Sequence, residues 1–199
     1  MEVIMNQKIN VQKLCVSAIM IALATVLSMI KVFQMPLGGS ITLLSMLPIV
    51  LVGIMYGAGW GFSTAGIYSI IQLILGVALD GLFAWGLEAP SLIACIMLDY
   101  VLAYTALGIA GIFYKKGYFA VILGTALALF ARFVFHFLSG AIIFANFEKF
   151  VIFGQAWVGR PFLYSLCYNG LYMLPELVLT CVAIAFIAKS PLYKRYADL

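Results

Sequence analysis

The sequence predicts an all-α fold, an integral membrane bundle of six transmembrane helices with both termini in the cytoplasm. Of the 199 residues, 66% are apolar and 9% are charged, and the mean hydropathy is +1.17. Soluble domains carry roughly 25% charged residues, and a chain of this length cannot bury so much apolar surface in one globular core. The composition therefore excludes a soluble enzyme, a disordered chain and a nucleic-acid-binding domain, and it indicates lipid as the solvent.

Six apolar runs approach the length of about 20 residues that a helix needs to cross a bilayer. They lie at 12–33, 40–56, 59–78, 90–114, 118–145 and 162–188. The runs are continuous and do not alternate with polar residues, which argues against a closed β-barrel. We expect residues 1–199 to form a single six-helix membrane domain in the cell membrane, with no soluble domain and no internal repeat.

The basic residues orient the six spans, because cytoplasmic loops are enriched in lysine and arginine. The side with both termini would hold seven of them: Lys8, Lys13, Lys115, Lys116, Lys189, Lys194 and Arg195. The opposite side would hold Lys31, Lys149 and Arg160, balanced by three acidic residues. Both termini are therefore predicted to face the cytoplasm, and the loops at 79–89 and 146–161 to face outward.

Small residues recur four positions apart on two of the predicted helices. Ala18 and Ala22 share a face of the first, and Gly57, Gly61 and Ala65 share a face at the start of the third. Such spacing allows helices to approach closely in lipid. Two interpretations stay open, namely packing within this bundle and docking of a second membrane protein.

Four ionisable side chains fall inside the predicted spans: Asp99, Arg132, His136 and Glu176. A charge in the bilayer is costly unless it faces the bundle interior and finds a partner. The helical rise of 1.5 Å per residue puts Asp99 about 13 Å from the outer end of its span and His136 close to the outer end of the next. Tyr164 and Asn169 fall within about 12 Å of the outer face. We therefore expect a binding pocket in the outer half, with Arg132 in a structural pairing and no role assigned to Glu176.

The chemistry of these residues favours a small aromatic ligand that carries an amino group or a positive charge. A buried carboxylate at Asp99 suits such a group, while His136 and Asn169 offer both donors and acceptors. Neighbouring aromatic rings provide stacking and cation–π surfaces. The chain has no GxxxxGK[ST] motif for ATP and no two matching halves of the kind found in many carriers. Energy for transport would therefore come from a partner.

A rhomboid-like intramembrane protease is the distant alternative. Gly61-Phe62-Ser63-Thr64 weakly resembles its nucleophile motif, and His136 would be the base. The predicted depths separate Ser63 from His136 by about 20 Å, whereas a Ser–His hydrogen bond needs about 3 Å. We therefore do not expect an enzyme.

Five motifs follow one another over nearly the whole chain. They are Pro36-Leu37-Gly38-Gly39-Ser40, Leu98-Asp99-Tyr100, Arg132-Phe133-Val134-Phe135-His136-Phe137-Leu138-Ser139-Gly140, Tyr164-Ser165-Leu166-Cys167-Tyr168-Asn169-Gly170 and Tyr172-Met173-Leu174-Pro175. In this order they resemble the thiamine-specific substrate-binding (S) components of energy-coupling factor (ECF) transporters, the ThiT or YuaJ family.

The resemblance implies a vitamin-binding subunit that catalyses no bond change and needs no cofactor. Its partners would be a transmembrane ECF coupling protein and two ABC-type ATPases, which alone use ATP. The family docks its coupling protein through an AxxxA motif, here Ala18 and Ala22. The implied substrate-binding residues are Asp99, Tyr100, His136, Phe144, Tyr164 and Asn169.

Two positions depart from the pattern of some family members, which have Glu where Asp99 stands and Trp where Phe144 stands. Thiamine is the leading ligand, with Asp99 expected to hold its amino or cationic part. Pyridoxine and a hydroxymethylpyrimidine remain alternatives, since both carry a hydroxylated heteroaromatic ring. Trp157 is a candidate cap over the pocket.

Overall fold

The structure is a computed structural model that describes residues 2–35, 38–144, 151–152, 155–156, 159–191 and 193, and side chains within 11–35, 38–144, 159–191 and 193. Six principal helices run through these residues, which confirms the all-α prediction. In chain order they are α1 Glu2–Met29, α2 Leu47–Tyr56, α3 Ala58–Ala78, α4 Ala89–Phe113, α5 Tyr118–Ile142 and α6 Pro161–Ile187. All except α2 are long and apolar enough to cross a membrane.

The prediction of one helix over 40–56 is wrong in its first part. Strand β1 (Lys31–Gln34) pairs antiparallel with β2 (Ser40–Thr42), so a hairpin follows α1 and precedes α2. The prediction that the first span reaches residue 33 is wrong for the same reason. Pro48, at the beginning of α2, favours a helix start there because it has no backbone N–H to donate.

The ten-residue helix α2 is too short to span the bilayer, since it extends over about 15 Å. It lies inside the bundle, where seven of its residues are buried. Ile49, Val50 and Ile54 pack with Tyr68 of α3 and Leu107 of α4 in the main core. A helix that is apolar on all sides is stable in such a position because other helices surround it.

Glycines allow α2, α3 and α4 to cross with their backbones in contact. A Cβ atom on Gly61 would lie 2.9 Å from the Cα atom of Gly53 and 3.2 Å from the carbonyl oxygen of Gly108. Gly57, with φ of +90°, makes the turn between α2 and α3. The small residues at the start of α3 therefore pack against helices of this bundle, which is the first of the two interpretations left open by the sequence. Ala18 and Ala22 differ, because both are exposed on α1.

Helix α4 changes its winding where the predicted site begins. It is α-helical over Ala89–Cys95, widens to a π-helix over Ile96–Leu102 and ends as a 3₁₀-helix over Ala106–Phe113. Single π turns inside helices are frequent at functional sites. The π segment carries Asp99 and Tyr100, which the sequence assigned to the pocket.

Two short connections complete the described fold. A 3₁₀ turn, Leu82–Ala84, follows α3, and Trp85 Nε1 donates a hydrogen bond of 2.9 Å to the carbonyl oxygen of Asp80. Strands β3 (Val151–Ile152) and β4 (Gln155–Ala156) pair antiparallel between α5 and α6. The candidate cap Trp157 lies outside the described residues, as do Lys149, Lys194 and Arg195 of the orientation argument.

Candidate ligand-binding site

A cavity of about 190 Å³ opens between the β1–β2 hairpin and helices α3, α4, α5 and α6. All six predicted substrate-binding residues line it: Asp99, Tyr100, His136, Phe144, Tyr164 and Asn169. Five of them lie on α4, α5 and α6, and Phe144 follows the end of α5. The predicted depths put Asp99, His136 and Asn169 in the same half of the membrane. The structure therefore places the predicted residues around one space.

The centre of the site is a carboxylate paired with the imidazole of the neighbouring helix. His136 Nδ1 lies 2.7 Å from Asp99 Oδ1. Ser139, one turn from His136 on α5, donates its hydroxyl hydrogen to Asp99 Oδ2, and Cys95 Sγ lies 3.3 Å from the same oxygen. Three of the roughly four lone-pair positions of a carboxylate are thus in use.

One polar atom of this pair is left without a partner. His136 Nε2 is buried and has no hydrogen-bond partner among the described residues. Buried polar atoms in folded proteins are nearly always paired. The nitrogen is therefore an unsatisfied polar atom on a residue that lines the cavity.

Asn169 fixes the geometry of the site from α6. Its Nδ2 donates hydrogen bonds of 3.1 Å to the backbone oxygen of His136 and 3.0 Å to that of Ser165. Its Oδ1 accepts a hydrogen bond of 2.8 Å from the hydroxyl of Tyr172. The amide thus joins α6 to α5 at the level of the imidazole and holds two cavity residues in place.

Aromatic rings form the wall of the cavity. Tyr164 and Tyr168 are stacked with centroids 5.8 Å apart, and Tyr172 meets Tyr168 edge-on at 6.0 Å. Phe144 meets Trp85 edge-on at 6.1 Å, and both also line the cavity. Flat apolar surfaces of this kind suit a planar heteroaromatic ligand. The sequence analysis did not assign Tyr172 or Trp85 to the site, although Tyr172 lies two helical turns after Tyr164.

A buried ion pair lies one helical turn before His136, where Arg132 lines the cavity. Arg132 Nη1 is 3.7 Å from Glu176 Oε2, and both side chains are almost fully buried. The Arg132 guanidinium also lies over the ring of Tyr104, at 4.6 Å from its centroid. The predicted structural pairing of Arg132 is confirmed, and its partner is the glutamate that had no assigned role. The sequence offered one signal for this pair, because Arg132 and Glu176 carry opposite charges and both fall within predicted spans.

A second ion pair lines the cavity, between the hairpin and the end of α3. Lys31 Nζ contacts Asp80 Oδ1, and both side chains are about one-fifth exposed. Gln34 Nε2 lies 3.4 Å from the same oxygen. Sequence reasoning missed this pair because Lys31 was assigned to the outer end of the first span and Asp80 to a loop, whose neighbours cannot be read from helical spacing.

The remaining predicted residues lie away from the cavity. Ser63 is exposed on α3 and is not among the cavity residues, so the protease alternative has no support. Ala18 and Ala22 are also not among the cavity residues.

Comparison with known proteins agrees with the motifs and the fold. The family model of the thiamine transporter protein family (Thia_YuaJ) matches residues 14–195. The chain is 30% identical over 198 residues to the thiamine transporter ThiT of Bacillus subtilis (strain 168), which covers 92% of this chain and 93% of that protein. A solved structure of ThiT from Listeria monocytogenes matches with a TM-score of 0.70 at 20% identity, over 92% of this chain and 97% of that one, which shows a shared fold. The chain therefore belongs to the thiamine transporter family, and it is a multi-pass membrane transport protein rather than an enzyme.

Proposed function

We propose that this chain is the substrate-binding subunit of an ECF-type ABC importer. It captures thiamine at the outer face of the membrane, and partner subunits use ATP to drive uptake. The observation that carries the proposal is the cavity in which Asp99 and His136 face a wall of tyrosines. The Bacillus relative is a thiamine transporter by name, which supports the same ligand.

The charges around the cavity favour a cation. Within the described part of the chain, Lys31 is paired with Asp80 and Arg132 with Glu176. The Asp99 carboxylate is paired only with the imidazole of His136 among the described ion pairs. A positively charged ligand offsets this negative charge, and thiamine supplies one in its thiazolium ring.

The other side chains have roles that follow from their positions. Tyr164 and Phe144 both line the cavity, and their rings stack on the ligand rings. Tyr100 contributes a hydroxyl that reaches the hydroxyl tail of thiamine. Asn169 holds His136 and Tyr172 in place through its hydrogen bonds, which supports a binding geometry fixed in advance.

The proposed partners are the transmembrane ECF coupling protein and two ABC-type ATPases. Ala18 and Ala22 present small side chains on an exposed face of α1, which supports a docking role. The excess of lysine and arginine near both termini supports cytoplasmic termini. With this orientation we expect the cavity to open at the outer face.

Binding titrations on the purified protein in detergent test the proposal. Tryptophan fluorescence or calorimetry would compare thiamine, pyridoxine and a hydroxymethylpyrimidine, without ATP or partners. We expect selective thiamine binding that falls at least tenfold, or about 1.4 kcal/mol, in Asp99→Asn. Glu88→Gln is the matched control, since Glu88 is an exposed acidic residue outside the cavity. Tight binding of one of the other two ligands would move the chain to that vitamin, and binding of none would refute the proposal.

A further inference from the structure

We propose that the bundle binds the phosphate headgroup of an anionic phospholipid at the end where α5 begins and α6 ends. The binding surface consists of Lys115, Lys116 and Lys189 together with the aromatic rings beneath their ammonium groups. We call this surface the basic end. The inference goes beyond the capture of a vitamin and does not depend on which vitamin the cavity holds.

The chain connections bring these three lysines together. Lys115 and Lys116 lie in the four-residue turn at 114–117, which joins α4 to α5. Lys189 follows α6, and its Nζ lies 5.2 Å from the centroid of the Tyr118 ring, where α5 begins. The length of α4 separates this turn from the cavity loop after α3, so the basic end and that loop lie at opposite ends of the bundle.

The charges of the basic end have no acidic partner among the side chains that the structure describes. The described ion pairs join other residues, namely Lys31 with Asp80, Arg132 with Glu176 and His136 with Asp99. The three ammonium groups lie instead over aromatic rings: Lys115 over Tyr114 at 5.2 Å, Lys116 over Phe113 at 5.6 Å and Lys189 over Tyr118 at 5.2 Å. An ammonium has three N–H donors, so a contact with one ring face leaves donors free for an anion.

Lys115 has a backbone conformation that favours glycine. Its φ is +58°, in the left-handed region, and Gly117 in the same turn has φ of +92°. Residues other than glycine rarely adopt this region, and those that do are frequent at functional sites. The Lys115 side chain is exposed, so burial does not offset the strain. The observation therefore points to a role for its charge.

Apolar side chains next to the lysines favour a lipid over a free anion. Phe119, beside Tyr118, is 83% exposed, and Phe186, one turn before Lys189, is 74% exposed. In a membrane protein such side chains contact acyl chains, whereas tyrosine and lysine lie at the level of the headgroups. Basic pockets between transmembrane helices bind anionic headgroups. A phospholipid satisfies both the charge and the apolar surface, whereas inorganic phosphate satisfies only the charge.

Lipid retention by the purified full chain in detergent tests the proposal. The protein is mixed with equal amounts of phosphatidylglycerol, which is anionic, and phosphatidylcholine, which is zwitterionic, and native mass spectrometry counts the bound molecules. We expect phosphatidylglycerol to be retained at least about fivefold in preference, since one lysine near an anionic headgroup contributes about that factor. Lys189→Gln should lower the preference by about fivefold.

Arg160→Gln is the matched control, because it removes the same charge from the opposite end of α6. Arg160 is exposed and precedes the helix that Lys189 follows. The preference for phosphatidylglycerol should not change in this variant. Thermal unfolding in detergent would show that both proteins are folded.

Lys115→Gly separates a role in lipid binding from a role in folding. Glycine adopts a φ of +58° without strain, so the unfolding midpoint should stay the same or rise. The preference for phosphatidylglycerol should fall, because the variant lacks the charge. A lower midpoint with an unchanged preference would show that Lys115 serves the fold alone.

Three further outcomes would overturn the proposal. Equal retention of the two lipids by the wild type would do so without any variant, and an equal loss in Lys189→Gln and Arg160→Gln would reduce the effect to net charge. Displacement of phosphatidylglycerol by an equal concentration of glycerol phosphate would show a site for free anions. Lysine variants that kept the lipid preference but lost binding to the coupling protein would identify the basic end as a protein-docking surface instead.

Discussion

Glu176 Oε1 of α6 accepts a hydrogen bond of 2.6 Å from the backbone nitrogen of Thr42 in β2. The Thr42 hydroxyl contacts the same oxygen, and the other carboxylate oxygen faces Arg132 of α5 at 3.7 Å. One buried side chain thus connects the hairpin with two transmembrane helices. The hairpin forms part of the cavity wall, so this carboxylate links the stability of the bundle to the shape of the site.

We predict that Glu176→Ala strongly destabilises the protein. The substitution leaves the buried Arg132 guanidinium without its carboxylate and the Thr42 backbone nitrogen without its acceptor. Removing one partner of a buried ion pair costs about 3–5 kcal/mol. Thermal unfolding in detergent would measure the loss, with the exposed Glu88→Gln as control. An unchanged unfolding midpoint would show that the connection does not stabilise the fold.

Two glycines offer a matched pair for the contact between α5 and α6. A Cβ atom on Gly140 would clash with Ser165 Oγ and lie 3.0 Å from Asn169 Nδ2, whereas on Gly170 its nearest neighbour is at 3.9 Å. We predict that Gly140→Ala costs about 1–3 kcal/mol by overpacking and weakens thiamine binding, because it displaces Asn169. Gly170→Ala should be neutral or stabilising by up to about 1 kcal/mol, since alanine favours helix. If Gly140→Ala and Gly170→Ala changed the unfolding midpoint and the thiamine affinity equally, the close contact of Gly140 with α6 would be contradicted.

The partly exposed ion pair between Lys31 and Asp80 is predicted to affect ligand release more than stability. A partly exposed pair contributes at most about 1 kcal/mol to folding, but Lys31 and Asp80 join the hairpin to the end of α3. Asp80→Asn should therefore raise the dissociation rate of thiamine in stopped-flow fluorescence and leave the unfolding midpoint nearly unchanged. The charge exchange Lys31→Asp with Asp80→Lys should restore slow release. Failure of the exchange would mean that the two charges do not act together.

Bulky residues at positions 18 and 22 are predicted to separate binding from uptake. Ala18→Leu and Ala22→Leu lie on an exposed face away from the cavity, so thiamine titrations should not change. Uptake by cells that also express the coupling protein and the ATPases should be blocked, because the larger side chains prevent close helix contact. Ile19→Phe, on a neighbouring exposed face, is the control. Normal uptake in the alanine variants would refute the docking assignment.

The sequence predicted much of the site because depth along a helix follows from residue number alone. Asp99, His136 and Asn169 were placed at one level on three helices, and the structure brings all three to one cavity. The rise per residue does not tell which atoms meet. The pairing of Asp99 with His136, and the use of the Asn169 amide between α5 and α6, required the structure.

The hairpin could not be predicted from the hydropathy of the chain. Val32, Phe33 and Ile41 are as apolar as the helical residues beside them, so the run appeared continuous in both predicted spans. A short apolar run does not distinguish strand from helix. The hydrogen bond between Glu176 and Thr42 was missed as a consequence, because the sequence assigned Thr42 to a helix whereas it lies in β2.

The crossing of α2, α3 and α4 has a mechanical consequence. At Gly53, Gly61 and Gly108 the helices meet through main-chain atoms, so no side chain can change its rotamer to let them slide. A close-packed interior of this kind deforms little. The hairpin, in contrast, contacts the helices through the side chains of Glu176 and Asp80, which can change rotamer. We therefore expect the crossing of the helices to stay fixed when the cavity changes shape, and β1 and β2 to be the part that moves.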